Sequence, residues 1–224
     1  MNLPDPMLQI VYGRLAWALV ASALLLALLP VTARRTKVLI VAATVALMAL
    51  PGPASPAYWL TLALQYPSGL LLGFAVMALR ARWHGRQPRF AMRPGLALGL
   101  AAIGLLLYLD TFGVVALGLY YGGFNPVAAP LLACAAAVGF AVNAWRGNAA
   151  APSAAMLMAL LLFSVLRLPT GNLWDALLDP LLWSWALGST IVAARRRLAG
   201  RRALHRQPAQ AVPDLVAARA VRAE

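Results

Sequence analysis

The stretch RARWHGRQPRFAMR, residues 80–93, decides the fold, because five arginines in fourteen residues stand between two apolar runs, 58–79 and 94–121. Each run is long enough for a transmembrane helix, which needs ~20 apolar residues. Arg and Lys in short loops stay cytoplasmic during insertion, so the two runs read as helices joined at the cytoplasmic face. Working outward, the other dense basic clusters, Arg34 with Arg35 and Lys37, Arg146, and Arg195 to Arg206, also fall between or after apolar runs. Placing all of them on one side gives an all-α, polytopic membrane helix bundle of about seven transmembrane helices. Its N-terminus is outside and its C-terminus cytoplasmic.

The spans implied are residues 7–30, 38–50, 58–79, 94–121, 127–145, 153–168 and 173–194. The second is short, but the clusters at Arg34 and Arg80 must share a side, so parity demands it; snorkelling of Lys37 and local thinning accommodate it. The fourth opens with Pro94, a favoured first-turn residue, and is longer than a perpendicular helix requires, so it is tilted or broken near Gly113. Residues 1–194 form the bundle, and residues 195–224 a basic cytoplasmic tail, partly disordered, on the membrane surface.

Composition agrees: 62% of residues are hydrophobic and 11% charged, against roughly 25% charged in soluble domains. At 224 residues, seven spans leave no room for a separate soluble domain. The net charge of +13 sits beside the spans, where it serves orientation and contact with anionic lipid headgroups, so nucleic acid is not a partner. The Ala, Leu and Arg bias suggests a GC-rich bacterial genome and the inner membrane as the location. The N-terminal MNLPDPMLQ carries no Lys or Arg, so no signal cleavage is expected. Cys134, the single cysteine, reads as a small buried residue in an apolar run.

Ionisable residues at membrane depth are functional hypotheses by default, and here they gather toward the outer face. Asp110 in LLLYLDTFGV lies far along the fourth span, and Arg14 in VYGRLAW lies about two turns into the first. Arg167 in SVLRLPTG closes the sixth, and Asp175 and Asp179 in NLWDALLDPLL open the seventh. Arg14 and Arg167 alone violate the cytoplasmic bias, which pairing with aspartates would explain. An ion pair from Arg167 to the face bearing Asp175 and Asp179 is expected across the sixth and seventh helices, with Asp110 and Arg14 as a second pair. Structural alternatives stand beside these: Arg14 snorkels to the headgroups, and Asp175, three residues after an Asn172 cap, stabilises the first turn of its helix.

The third span holds a second signal, LALQYPSGLLLG, where Pro67 and Gly69 interrupt an apolar helix beside Gln65, Tyr66 and Ser68. A proline kink is the plain reading, but broken helices also flank transport sites. Pro180 offers another kink directly after Asp179. Trp17, Trp59, Trp145 and Trp174 lie toward span ends and read as interfacial anchors. Gly95 with Gly99, and Ala133 with Ala137, have the small-xxx-small spacing of close helix contacts.

Absences narrow the chemistry. His84 and His205, the only histidines, lie in cytoplasmic segments, which excludes an intramembrane bis-histidine haem, a His-based metal site and His-assisted Ser or Cys catalysis. Seven-helix retinal proteins share this length and orientation, yet the only lysine, Lys37, is not in the last helix, so no Schiff base can form. No phosphate-binding loop occurs. The expected function is therefore a small-molecule transporter or permease-like binding protein without cofactor or metal. Its outward-facing polar pocket is built from Arg14, Gln65, Tyr66, Asp110, Arg167 and Asp179. The alternatives are a non-catalytic accessory or scaffold subunit of a membrane envelope complex, partnered by other membrane subunits, and a membrane enzyme acting on a lipid-linked substrate; no catalytic residues are assigned.

Overall fold

Residues 3–29, 33–86, 92–147 and 150–206 are described by a computed structural model. Among them the chain is all-helical, with ten α-helices, one 3-10 turn and no strand. In chain order they are α1 (Pro6–Leu28), α2 (Arg34–Met48), α3 (Pro56–Leu64), α4 (Gly69–Trp83), α5 (Pro94–Thr111), α6 (Leu119–Gly122), α7 (Ala128–Trp145), α8 (Ala150–Leu166), α9 (Leu173–Leu177) and α10 (Pro180–Arg206). Three of these, α1, α5 and α7, are each long and apolar enough to cross a bilayer, while residues Ala151–Leu166 of α8 form a shorter apolar helix.

Every apolar run read from the sequence is helical, but three are divided. The run 58–79 breaks at residues 65–68 into α3 and α4, and the run 173–194 breaks at residues 178–179 into α9 and α10. The run 94–121 ends as a helix at Thr111, turns through Gly113 at φ 72°, and resumes only as the single turn α6. A break near Gly113, rather than tilt alone, accounts for the excess length. The arginine-rich residues 195–206 continue α10, and residues 207–224 lie outside the described set, as do 87–91 of the basic loop.

Close approach of small residues sets the helix packing. On α4, a Cβ at Gly69 would lie 2.8 Å from the Cα of Ala159, and one at Gly73 would lie 2.6 Å from the carbonyl of Ala155. Facing Gly/Ala pairs of this kind let backbones touch. Leu70, Leu71, Leu100, Ala155, Ala159 and Leu182 then close a core shared by α4, α5, α8 and α10. Ala129 and Ala133 of α7 pack against Leu160 and Phe163 of α8. Gly95 and Gly99, by contrast, face open space, so their spacing makes no contact among the described residues.

Polar links tie α1 to its neighbours. The hydroxyls of Ser22 and Thr44 meet at 2.5 Å between α1 and α2, and Lys37 donates to the carbonyl of Arg82 at the end of α4. That lysine neutralises a helix C-terminus. Trp17 departs from the anchoring expectation, for it is buried among Ala18, Met48 and Ala57 at 3% exposure. Trp145 is almost fully exposed and Trp59 more than half exposed. Cys134 is exposed on α7, not buried as expected.

Candidate functional site

The two helix breaks meet. At the first, Gln65 ends α3 with φ 63°, and Ser68 begins α4 by accepting the backbone N–H of Leu71 on its own hydroxyl. A proline at position 67 with a positive φ two residues earlier abolishes helix continuity rather than bending it. The carbonyl of Pro67 is rescued by the Tyr12 hydroxyl of α1 at 2.7 Å. At the second break Leu178 is extended and Asp179 precedes Pro180, the first residue of α10. Asp179 Oδ1 accepts the N–H of Leu182 at 2.8 Å, and Oδ2 accepts the N–H of Ser68 at 2.8 Å. One carboxylate thus serves the N-termini of α4 and α10 together, where helix dipoles favour negative charge. It is 7% exposed.

Beside this junction lies a cavity of about 270 Å³, lined among others by Gln65, Tyr66, Tyr108, Thr111, Tyr120, Thr170, Trp174, Asp175 and Asp179. One side of it is latched by α9 and α6. Asn172 caps α9 through the N–H of Trp174 and donates to the carbonyl of Tyr120, while Trp174 Nε1 donates to the carbonyl of Leu119 at 2.8 Å. Asp175 accepts hydroxyl hydrogens from Thr170 at 2.5 Å and Tyr120 at 3.1 Å. Gly123 admits this latch, since a Cβ there would collide with Asn172.

Three of the six expected pocket residues, Gln65, Tyr66 and Asp179, line this cavity, and three do not. Asp110 turns to its own loop: Oδ1 accepts the N–H groups of Leu117 and Gly118 and Oδ2 that of Tyr120, which fixes the descent into α6. Arg167 donates to the carbonyl of Pro126 at 3.0 Å and lies over the Phe163 ring at 5.1 Å. Arg14 is half-buried on α1 with no hydrogen-bond or ionic partner among the described residues. Both expected ion pairs are therefore corrected. The aspartates take neutral donors, backbone N–H for Asp110 and Asp179 and hydroxyls for Asp175, and the turn after α8 sends Arg167 toward the loop before α7.

Tyr108, Thr111, Tyr120, Thr170 and Trp174 line the cavity unexpectedly, Trp174 in place of its expected anchoring role, and so does Asp175, which was expected to pair with Arg167 or to stabilise its helix. The available signal was the four-residue spacing of Asp175 and Asp179. The two do share the cavity, although the chain between them is broken rather than helical. No group of His, Cys, Asp and Glu suited to a metal occurs among the described residues. No family model, curated protein or solved structure matches the chain.

Proposed function

We propose that this is a multi-pass protein of a bacterial inner membrane that binds or moves a small molecule through a pocket open to the outside. In this reading α1, α2, the α3–α4 pair, α5, α7, α8 and the α9–α10 pair are seven spans, with the N-terminus outside and the basic C-terminal end cytoplasmic. Support comes from the charge asymmetry of the loops and from the three long apolar helices.

The observation that carries the reading is the pair of interrupted helices joined through Asp179 at the floor of the cavity. Irregular backbone at membrane depth is tolerated where it lines a cavity or is buried in protein, and discontinuous helices recur at transport sites. A rise of 1.5 Å per residue puts this floor about 8–13 Å below the starts of α3 and α9. Residues 65–68 and 178–179 are non-helical, so they can absorb the dihedral changes of a hinge, with α3 and α9 moving as the outer gate. A scaffold pinned by ion pairs would bring Arg14 and Arg167 onto the aspartates, and those arginines lie elsewhere. An enzyme would want an activated nucleophile, and the hydroxyl–carboxylate pair in the lining, Thr170 with Asp175, has no His or Lys beside it there.

The test uses the chain with Cys134→Ser and Thr111→Cys, leaving one thiol in the cavity. A membrane-impermeant thiol reagent added to intact cells is expected to modify it. Reaction only after the cytoplasmic side is opened would refute an outward-facing pocket.

A further inference from the structure

We propose that the ligand of this cavity is a small organic monocation, an ammonium group bearing methyl or short alkyl substituents, held against Asp175 and walled by Tyr66, Tyr108, Tyr120 and Trp174. The proposal rests on the outward-facing pocket reading and adds the substrate class to it.

Charge decides the sign of the ligand. No Arg, Lys or His lines the cavity, and its two ionisable acids are Asp175 and Asp179. A helix N-terminus carries about half a positive charge, so the N-termini of α4 and α10 together offset about one carboxylate. Both converge on Asp179 through the N–H groups of Ser68 and Leu182. Asp175 has no such compensation, because its partners are the neutral hydroxyls of Thr170 and Tyr120 and it stands on a helix of only five residues. A partly buried carboxylate without a counter-charge is costly, and a bound cation removes that cost. A cation in the cavity would supply that missing counter-charge.

The walls decide the kind of cation. A metal ion would want a cluster of charged or strongly coordinating ligands, and no such group of His, Cys, Asp and Glu occurs among the described residues, whereas four aromatic side chains, Tyr66, Tyr108, Tyr120 and Trp174, line this cavity. Aromatic faces attract desolvated organic ammonium ions, with Trp the strongest. The Tyr120 hydroxyl is oriented toward Asp175, which joins an aromatic wall to the unbalanced charge. The volume of about 270 Å³ falls just below the ~300–1,000 Å³ usual for ligand pockets, which suits a small molecule rather than a lipid.

The same thiol at position 111, on the Cys134→Ser chain in lipid nanodiscs, reads the field of the cavity. Modification rates are measured with a trimethylammonium-ethyl and a sulfonato-ethyl methanethiosulfonate reagent, each divided by its rate with a free thiol. The cationic reagent is expected to be favoured at least about tenfold, the scale by which a charged cleft concentrates counter-ions. Asp175→Asn, which keeps one acceptor and puts an amide donor in place of the other, where a rotatable hydroxyl of Tyr120 or Thr170 can accept it, is expected to collapse that preference. Tetramethylammonium chloride should slow the modification, and sodium chloride at equal ionic strength should not. Equal rates, a preference for the anionic reagent, or equal protection by sodium would overturn the organic-cation assignment while leaving the pocket reading intact. Failure of both reagents to react would sink the outward-facing pocket and this assignment with it.

Discussion

Asp179 holds two backbone N–H groups that belong to different helices, and each of its oxygens has one of them. Asparagine could satisfy only one, since its amide nitrogen would face the other donor. A buried N–H left without an acceptor costs about 1–3 kcal/mol. We therefore expect Asp179→Asn to lower the unfolding midpoint in detergent by several degrees, at about 2–4 °C per kcal/mol for a chain of this size. Asp110→Asn is the control. Asp110 also receives backbone N–H groups, but those of Leu117 and Gly118 share one oxygen and the site is at the solvent-facing loop. Water can replace the lost acceptor there, so the midpoint should move less than it does for Asp179→Asn. An equal loss for both variants would contradict the buried junction. Asp110, Asp175 and Asp179 were legible in the sequence as unusual residues, because ionisable groups in apolar runs need a reason. Their partners were not legible, because backbone N–H groups exist at every non-proline residue and carry no side-chain signal.

Helix packing follows the same division. Gly73 on α4 touches the backbone of α8, where an added methyl would lie 2.6 Å from the carbonyl of Ala155, while Gly95 on α5 faces nothing within 4 Å. Gly73→Ala should destabilise by about 1–3 kcal/mol through overpacking. Gly95→Ala should be neutral or stabilising by up to about 1 kcal/mol through helix propensity. Thermal unfolding of the two variants in one detergent separates them, and a destabilised Gly95→Ala with a tolerant Gly73→Ala would show that α4 and α8 do not meet as described. Both glycines stand in small-xxx-small spacings in the sequence, Gly69 with Gly73 and Gly95 with Gly99. Spacing alone cannot tell a packed face from an open one, because an Ala- and Gly-rich chain supplies the pattern on many faces. The break at Pro67 was visible as a proline in an apolar run; that Gln65 takes φ 63° and ends the helix outright depends on Tyr12 and Asp179 to hold the freed backbone.

At the scale of the whole molecule the proposed orientation makes its own prediction. On the Cys134→Ser chain, Ala54→Cys, exposed before α3, should react with an impermeant thiol reagent in intact cells. His84→Cys, exposed at the end of α4, should react only once the cytoplasmic side is opened. The reverse pattern would invert the proposed topology. The all-helical class, the position of every apolar run and the segregation of positive charge are all readable from the chain, because hydropathy and charge are summed locally over windows of about 20 residues. Which polar residues share a cavity is settled by three-dimensional packing. Gln65, Tyr120 and Asp179 come from three distant segments, and their meeting depends on how α4 packs on α8 and how the two broken helices align. Arg14 and Arg167 were expected at the site from charge and depth alone, two coordinates that leave rotation about the helix axis and the path of each connecting turn undetermined. Packing sets those remaining coordinates, and it put neutral donors rather than arginines against the aspartates.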